Sequence, residues 1–218
     1  RDEGWLTDMR TAIGGALATR ALARGDATRV LIIGAGIQAR FQAICLAKLM
    51  PDRALDFHIW SRTFDTAQTL AQELSNQGLA MKAVSELDNE VCKSDIIITT
   101  TPAVLPLFAD GLVRAGTHVT AIGADSPGKQ ELPLGLVTLA SLRVCDLARQ
   151  SLNHGEFQTA IKADPALKVT ELGHILSGVH SGRLSDDDIT VADLTGIAAQ
   201  DIAITQAIID AATAKNKT

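Results

Sequence analysis

The sequence predicts an α/β fold built on a doubly wound, mostly parallel sheet. Three observations carry that expectation. Short runs such as Val30–Ile33 and the consecutive isoleucines Ile96, Ile97 and Ile98 are apolar almost throughout, as strands covered on both faces must be. These runs alternate with helix-length segments along most of the chain, which is the rhythm of strand–helix–strand units. Finally, Val30–Ile33 leads directly into Gly34-x-Gly36-x-x-Ala39 and a helical stretch, the order that a close strand-to-helix turn requires.

Thr7 or Asp8 is expected to cap a first helix running through Arg24, because Met9, Ile13, Ala16, Leu17 and Leu22 recur at helical spacing. Gly25-Asp26 closes it. Strand Val30–Ile33 and helix Ile37–Met50 follow, ended by Pro51-Asp52. The second unit is strand Phe57–Trp60 with helix Thr63–Gln77, stopped at Gly78. Met81–Val84 reads as a third strand and Leu87–Lys93 as a short helix. Asp95–Thr99, His118–Ile122 and Leu142–Cys145 are further strands. After Asp146 the alternation loosens. Short helices at Leu147–His154 and Glu171–Ser177, a strand at Ile189–Leu194 and a closing helix from Ile197 to about Ala214 complete the expectation.

The length of 218 residues suits one full domain and part of another, at ~100–200 residues per domain. Apolar residues make up 46% of the chain, enough for a large core. Twenty basic against 25 acidic side chains give a net charge of −5 with no basic block, which argues against a nucleic-acid partner. Cys45, Cys92 and Cys145 are odd in number and far apart, so they read as reduced core residues. The histidines show no metal-ligand spacing, and no metal is expected. No apolar run nears the ~20 residues of a membrane span. Arg1-Asp2-Glu3-Gly4 lacks the character of a secretory leader, so a cytoplasmic setting is expected. The chain opens without Met just before a helix, as a processed or excised part of something longer would.

The glycine motif is the first candidate site. Its first glycine makes the turn and its second lets the backbone approach a diphosphate. A small third residue lets helix and strand pack closely, and the helix N-terminus faces the anion. The alternative is a tight turn without a ligand. At the end of the second strand, Ser61-Arg62-Thr63 carries no carboxylate. Arg62 is suited to a ribose 2′-phosphate, which favours NADP over NAD, unless it merely flanks the helix. Thr99-Thr100-Thr101-Pro102 ends another strand, where ligands of open α/β sheets lie, although threonine is also an ordinary strand residue. Gly123-Ala124-Asp125-Ser126-Pro127-Gly128-Lys129 follows a third. Asp125 there is either a general acid/base or the opening of a turn. Ser185-Asp186-Asp187-Asp188 lacks the glycine and distal Glu of a calcium loop and reads as a solvated acidic turn.

Assembled, these segments resemble the ornithine cyclodeaminase/mu-crystallin family over nearly the whole chain. Leu6-Thr7-Asp8-Met9-Arg10-Thr11-Ala12 resembles its entry helix, and Val30–Ala39, with Gln38, its nucleotide fingerprint. The most specific match is Gly123-Ala124-Asp125-Ser126-Pro127-Gly128-Lys129-Gln130-Glu131-Leu132. Glu171-Leu172-Gly173, Gly182-Arg183 and Asp193-Leu194-Thr195-Gly196 follow in the family's order. The resemblance implies a Rossmann sheet with flanking helices from a second, largely absent substrate and dimerisation domain. Residues 1–25 would bridge from that domain, 26–196 would bind NAD(P), and 197–218 would return to it. It further implies Arg10 and Thr11 at a cofactor phosphate and Gly34, Ala35, Gly36, Ile37 and Gln38 around the diphosphate. Ser61, Arg62 and Thr63 would take the adenosine end, and Thr100, Thr101, Ile122, Thr195 and Gly196 the nicotinamide, with Asp125 as acid/base. Leu194 stands where the family often has Ser. The Arg and Lys that grip the substrate carboxylate in the family belong to its N-terminal domain, outside this sequence.

The implied activity is hydride transfer between NADP(H), with NAD as the other possibility, and an imino or amino acid, in a homodimer. An ornithine cyclodeaminase using bound NAD is the alternative within the class. A non-catalytic NADPH or small-ligand binder is the other class; mu-crystallin lacks the signature Asp that this chain keeps as Asp125.

Overall fold

A computed structural model describes residues 3–215; Arg1 and Asp2 of the N-terminal tetrapeptide, and the last three positions of the expected C-terminal segment, lie outside them. The first helix, α1 (Trp5–Leu22), is followed by β1 (Arg29–Ile33), α2 (Ile37–Leu49), β2 (Asp56–Trp60), α3 (Phe64–Asn76) and β3 (Met81–Ala83). Next come α4 (Leu87–Val91), β4 (Ile96–Thr99), β5 (His118–Ala121), α5 (Leu134–Leu139) and β6 (Leu142–Cys145). The chain continues through α6 (Ala148–His154), α7 (Phe157–Ala163), β7 (Thr170–Glu171), α8 (Leu172–Leu176) and β8 (Thr190–Asp193), and closes with α9 (Ala198–Lys215).

The strands form one sheet in the order β3-β2-β1-β4-β5-β8-β6-β7, with every pairing parallel. Alternation along each strand splits the core in two, since successive side chains point to opposite faces. Val30, Ile32, Ile96 and Ile98 pack beneath α1, α2 and α3, whereas Leu31, Ile33, Ile97 and Val119 pack against α4, α5 and α7. The sheet is therefore doubly wound. The crossover from β3 through α4 to β4 carries the chain to the other side of β1, so the strand order reverses between β1 and β4.

Three local expectations are corrected. Helix α1 starts at Trp5, not at a Thr7 or Asp8 cap. Gly4 takes a left-handed φ of 91°, the Trp5 ring packs edge-on against Phe41 at 5.4 Å, and the Asp8 carboxylate instead accepts from Gln38 Nε2 of α2. Cys92 is exposed just past the short α4, while Cys45 and Cys145 are buried; all three are free thiols. Helices α5 and α7 and strand β7 add to the expected set.

Helix α1 is fastened to the sheet by a buried polar chain. Thr190 Oγ1 donates to Leu22 O at 3.3 Å, which leaves it to accept from His118 Nδ1–H at 2.9 Å. His118 Nε2 then accepts from Thr120 Oγ1 at 2.8 Å, and Thr19 Oγ1 donates to Thr120 at 2.9 Å. Burial, with the nearby Arg183 charge, pushes the His118 pKa down to about 3, so the ring is neutral. Helix α9 has no buried residue and rests on α1. Among the described residues, no helix is long and apolar enough to cross a membrane.

Candidate functional site

Six strands end in register at one edge of the sheet. Trp60 pairs with Ile33, Ile33 with Thr99, Thr99 with Ala121, Ala121 with Asp193, and Asp193 with Cys145. Every segment singled out for chemistry in the sheet domain leaves this row within a few residues. Ligands of open α/β sheets bind beyond these carboxyl ends, at the reversal of strand order.

At that reversal lies a cavity of about 690 Å³. Gly34, Ala35 and Gly36 form one wall, Ser61, Arg62 and Thr63 a second, and Thr100 and Thr101 a third, with Trp60 between. Gly34 has φ 117°, and a Cβ there would meet Thr100 Oγ1 at 2.5 Å, so the turn admits only glycine. Gly36 differs: a Cβ there would meet nothing within 4 Å, because it borders open space at the start of α2. The amides of the first turn of α2 have no partner within the helix, and no side chain caps them. Ala39 is fully buried, as close helix–sheet packing demands. An open-faced glycine below free helix amides fits a diphosphate. The rim residue Arg62 is exposed and makes no ion pair or hydrogen bond among the described residues.

Other implied residues lie elsewhere. Ile37 faces a neighbouring cleft beside the Arg40–Glu73 ion pair. Gln38 turns away from the cavity wall to bridge α2 and α1, donating to Asp8 Oδ1 at 3.1 Å. Thr11 donates to its own helix at Thr7 O, 2.7 Å. Ile122 is buried beneath the row. Arg10, Thr195 and Gly196 form a second group. The Arg10 guanidinium lies against Gly196, donates to Gln200 Oε1 at 3.1 Å, pairs with Asp201 at 3.2 Å and lines an apolar cavity of about 450 Å³ between α1, α8 and α9. The Asp146 carboxylate, at the end of β6, accepts from Thr195 Oγ1 at 3.2 Å and Gly196 N at 2.6 Å, and so shapes this turn.

Asp125 follows β5, two strands from β1. Its Oδ1 accepts from Lys129 Nζ at 2.6 Å and Ser126 Oγ at 3.0 Å. Partial burial pushes its pKa up, but these hydrogen bonds and the Lys129 charge outweigh it and hold the carboxyl below its ordinary range. The loop is braced from within. Gln158 accepts from Gly128 N at 3.4 Å and donates to Lys129 O at 3.1 Å, and the buried Glu131 receives Gly123 N at 2.8 Å. Glu131, Asp146, Glu156 and Gln158 had no role assigned from sequence. An acidic residue read alone suggests a solvated surface; a carboxylate placed between two strand-end loops was the available signal. Ser185–Asp188 is a turn in which the Asp188 carboxylate accepts from Leu184 N and Ser185 N, both at 2.9 Å.

Fold and site together define a dinucleotide-type Rossmann domain with an ion-paired carboxylate at its sheet edge. The chain belongs to the ornithine cyclodeaminase/mu-crystallin family, whose profile matches residues 1–216. It is 39% identical to an uncharacterised cyclodeaminase of Sinorhizobium fredii, over 93% of this chain and 62% of that protein. Among solved structures, an archaeal alanine dehydrogenase dimer with bound NAD superposes with a TM-score of 0.88 at 30% identity, covering 97% of this chain and 66% of that one. The Thermococcus litoralis Delta(1)-pyrroline-2-carboxylate reductase in complex with NADH and L-proline gives 0.85 at 30% identity, covering 93% and 63%. The chain thus spans less than two thirds of the length of these relatives.

Proposed function

We propose that this chain is the cofactor-binding part of an NAD(P)-dependent oxidoreductase that moves hydride between nicotinamide and the α-carbon of an imino or amino acid. The observation that carries this reading is the position of Asp125. An ion-paired carboxylate follows β5 at the same sheet edge as the glycine wall that follows β1, with β4 between the two strands. A bound nicotinamide cofactor supplies or accepts the hydride. Asp125 moves the proton at the substrate nitrogen or at water. The first-turn amides of α2 hold the diphosphate beside Gly36. Thr100 and Thr101 border the nicotinamide side, and Arg10, Thr195 and Gly196 close its far end.

NADP(H) is the preferred form in this reading, because Arg62 at the rim has no ion pair among the described residues and no carboxylate stands at the tip of β2. Residues 26–196 make the dinucleotide-binding domain, with α1 and α9 serving a substrate and dimerisation domain in a homodimer, as the dimeric alanine dehydrogenase suggests. Three free thiols suit a reducing compartment such as the cytoplasm.

Titration with NADPH and NADH, followed by nicotinamide fluorescence, tests the cofactor. NADPH tighter by more than about tenfold, ~1.4 kcal/mol, supports the Arg62 reading, and equal affinities remove it. A second reading is favoured by the likeness to the S. fredii cyclodeaminase and by the NAD and NADH in the two solved neighbours. It is an ornithine cyclodeaminase with bound NAD. Ammonia release from ornithine without net cofactor oxidation decides for it. NADPH consumption with a cyclic imino acid decides for the reductase.

A further inference from the structure

Glu131 is fully buried, and both of its oxygens are engaged. Oε1 accepts from Thr101 N at 2.6 Å and Thr101 Oγ1 at 2.8 Å; Oε2 accepts from Thr99 Oγ1 at 2.6 Å and Gly123 N at 2.8 Å. A carboxylate offers about four lone-pair sites, and all are used here. The donors come from two different loops. Thr99 and Thr101 end β4 at the cavity, whereas Gly123 opens the loop that carries Asp125. The two loops are in direct contact at this point. A Cβ on Gly123 would overlap the Thr101 carbonyl oxygen and sit 2.7 Å from Glu131 Cδ. Glu131 is itself held, since Glu156 Oε1 accepts from Glu131 N at 2.7 Å and Oε2 from Leu132 N at 2.9 Å.

We propose that Glu131 is a positioning residue: by clamping the Gly123 end of the Asp125 loop to Thr99 and Thr101, it fixes the distance from the Asp125 carboxylate to the cavity wall. It touches neither cofactor nor substrate. Its effect on turnover rests on the oxidoreductase reading; the clamp itself does not. Proton transfer needs placement to within about an ångström, and a loop free to shift that far costs roughly 100-fold in rate. An amide at 131 has one accepting oxygen. Its nitrogen would face either Gly123 N–H or the Thr101 pair, donor against donor, so Glu131→Gln opens one side of the clamp while keeping the shape.

The test compares wild type with Glu131→Gln, Glu131→Asp and the near-isosteric Thr99→Val, with turnover read in a protein that carries the substrate domain. Amide hydrogen exchange is read at Gly123 and Thr101, NADH affinity by fluorescence, and turnover with Δ1-pyrroline-2-carboxylate and NADPH or NADH. In Glu131→Gln, exchange at one or both amides quickens by about tenfold, the loss of one buried hydrogen bond, and NADH affinity stays within about threefold. Turnover falls about 100-fold in kcat with KM nearly unchanged, and Glu131→Asp recovers part of it. Should Glu131→Gln not fold, Thr99→Val is the milder probe and shows the same changes at smaller size. Unchanged exchange at both amides in a folded Glu131→Gln overturns the clamp. Quickened exchange with kcat intact, in a wild type that turns over, overturns the positioning role. If the wild type, assayed with its substrate domain present, reduces no imino acid, the functional reading fails, and exchange alone still decides whether the clamp exists.

Discussion

The Lys129 ammonium donates to the Asp125 carboxylate across 2.6 Å, from four residues along the same loop. The pair favours the ionised form, so Asp125 is ready to accept a proton and gives one up easily. Replacing Lys129 by Met removes that bias, and the Asp125 pKa rises towards the ordinary carboxylate value. The acid limb of kcat/KM therefore moves to higher pH in Lys129→Met. Asp125→Asn loses about 10²–10⁴-fold in kcat, the usual worth of a general acid/base, while NADH affinity stays near wild type. A pH–rate profile of both variants checks this, and full turnover by Asp125→Asn ends the assignment. With the Asp125 side chain 55% exposed, neither change is expected to alter stability much.

Gly34 and Gly36 separate fold from ligand. Gly34→Ala forces a side chain into a φ of 117° and against Thr100 Oγ1, and a strained position of this kind costs about 1–3 kcal/mol. A Cβ at Gly36 meets no protein atom within 4 Å, so in Gly36→Val the melting temperature should hold while the branched side chain fills the space assigned to the diphosphate. Thermal melts with NADH titrations distinguish the two. A Gly36→Val chain that still binds NADH normally places the diphosphate elsewhere.

Arg62 offers the cleanest handle on cofactor choice, because removing it breaks no hydrogen bond or ion pair among the described residues. Arg62→Ala should weaken NADPH by about tenfold or more, as loss of a charge-assisted contact implies, and leave NADH nearly unchanged. Adding Ser61→Asp, which sets a carboxylate where a 2′-phosphate would lie, should turn the preference to NADH. Equal weakening of both cofactors by Arg62→Ala would mean that the guanidinium contacts a part they share.

The parallel sheet was legible because its strands are short apolar runs punctuated by Gly, Pro and Asp, and because Gly34, Thr100 and Asp125 follow such runs directly. What stayed hidden was set by distance in space. Strand β8 slots between β5 and β6, a placement that no local pattern encodes. Helix α7 has seven residues and β7 two, too few for either periodicity to show. Gln38 sits inside the fingerprint in sequence yet spends its amide on Asp8, because α1 packs against α2 there. Glu131 was visible as a letter in a motif, but its four donors come from three separate positions that only the fold brings together.

Buried carboxyls behind the Asp125 loop give the stability a distinctive pH dependence. Burial, reinforced by neighbouring Asp193 and Glu131, pushes the Glu156 pKa from 4.5 up to about 8. Burial and Asp146 push that of Asp193 from 3.8 up to about 7, against hydrogen bonds from Ser151 and backbone amides. A raised carboxyl keeps its proton in the folded chain at pH values where the unfolded chain has lost it. Its contribution is therefore complete below the unfolded value and disappears as pH climbs through the folded one. His118 works the other way. Its ring stays neutral in the fold down to about 3 while the unfolded ring protonates below 6.5, so acidification below 6.5 destabilises. Between 6.5 and 8 the histidine is silent and the carboxyls decide the sign. Stability should fall with rising pH there, by at most about 1.4 kcal/mol per pH unit for each proton involved. Melts across that window in wild type and Glu156→Gln are the check. The variant is less stable overall, because its amide nitrogen faces a backbone N–H, but its slope is flatter. An identical slope in both proteins, or wild-type stability that climbs from 6.5 to 8, would show that Glu156 is already ionised in the fold.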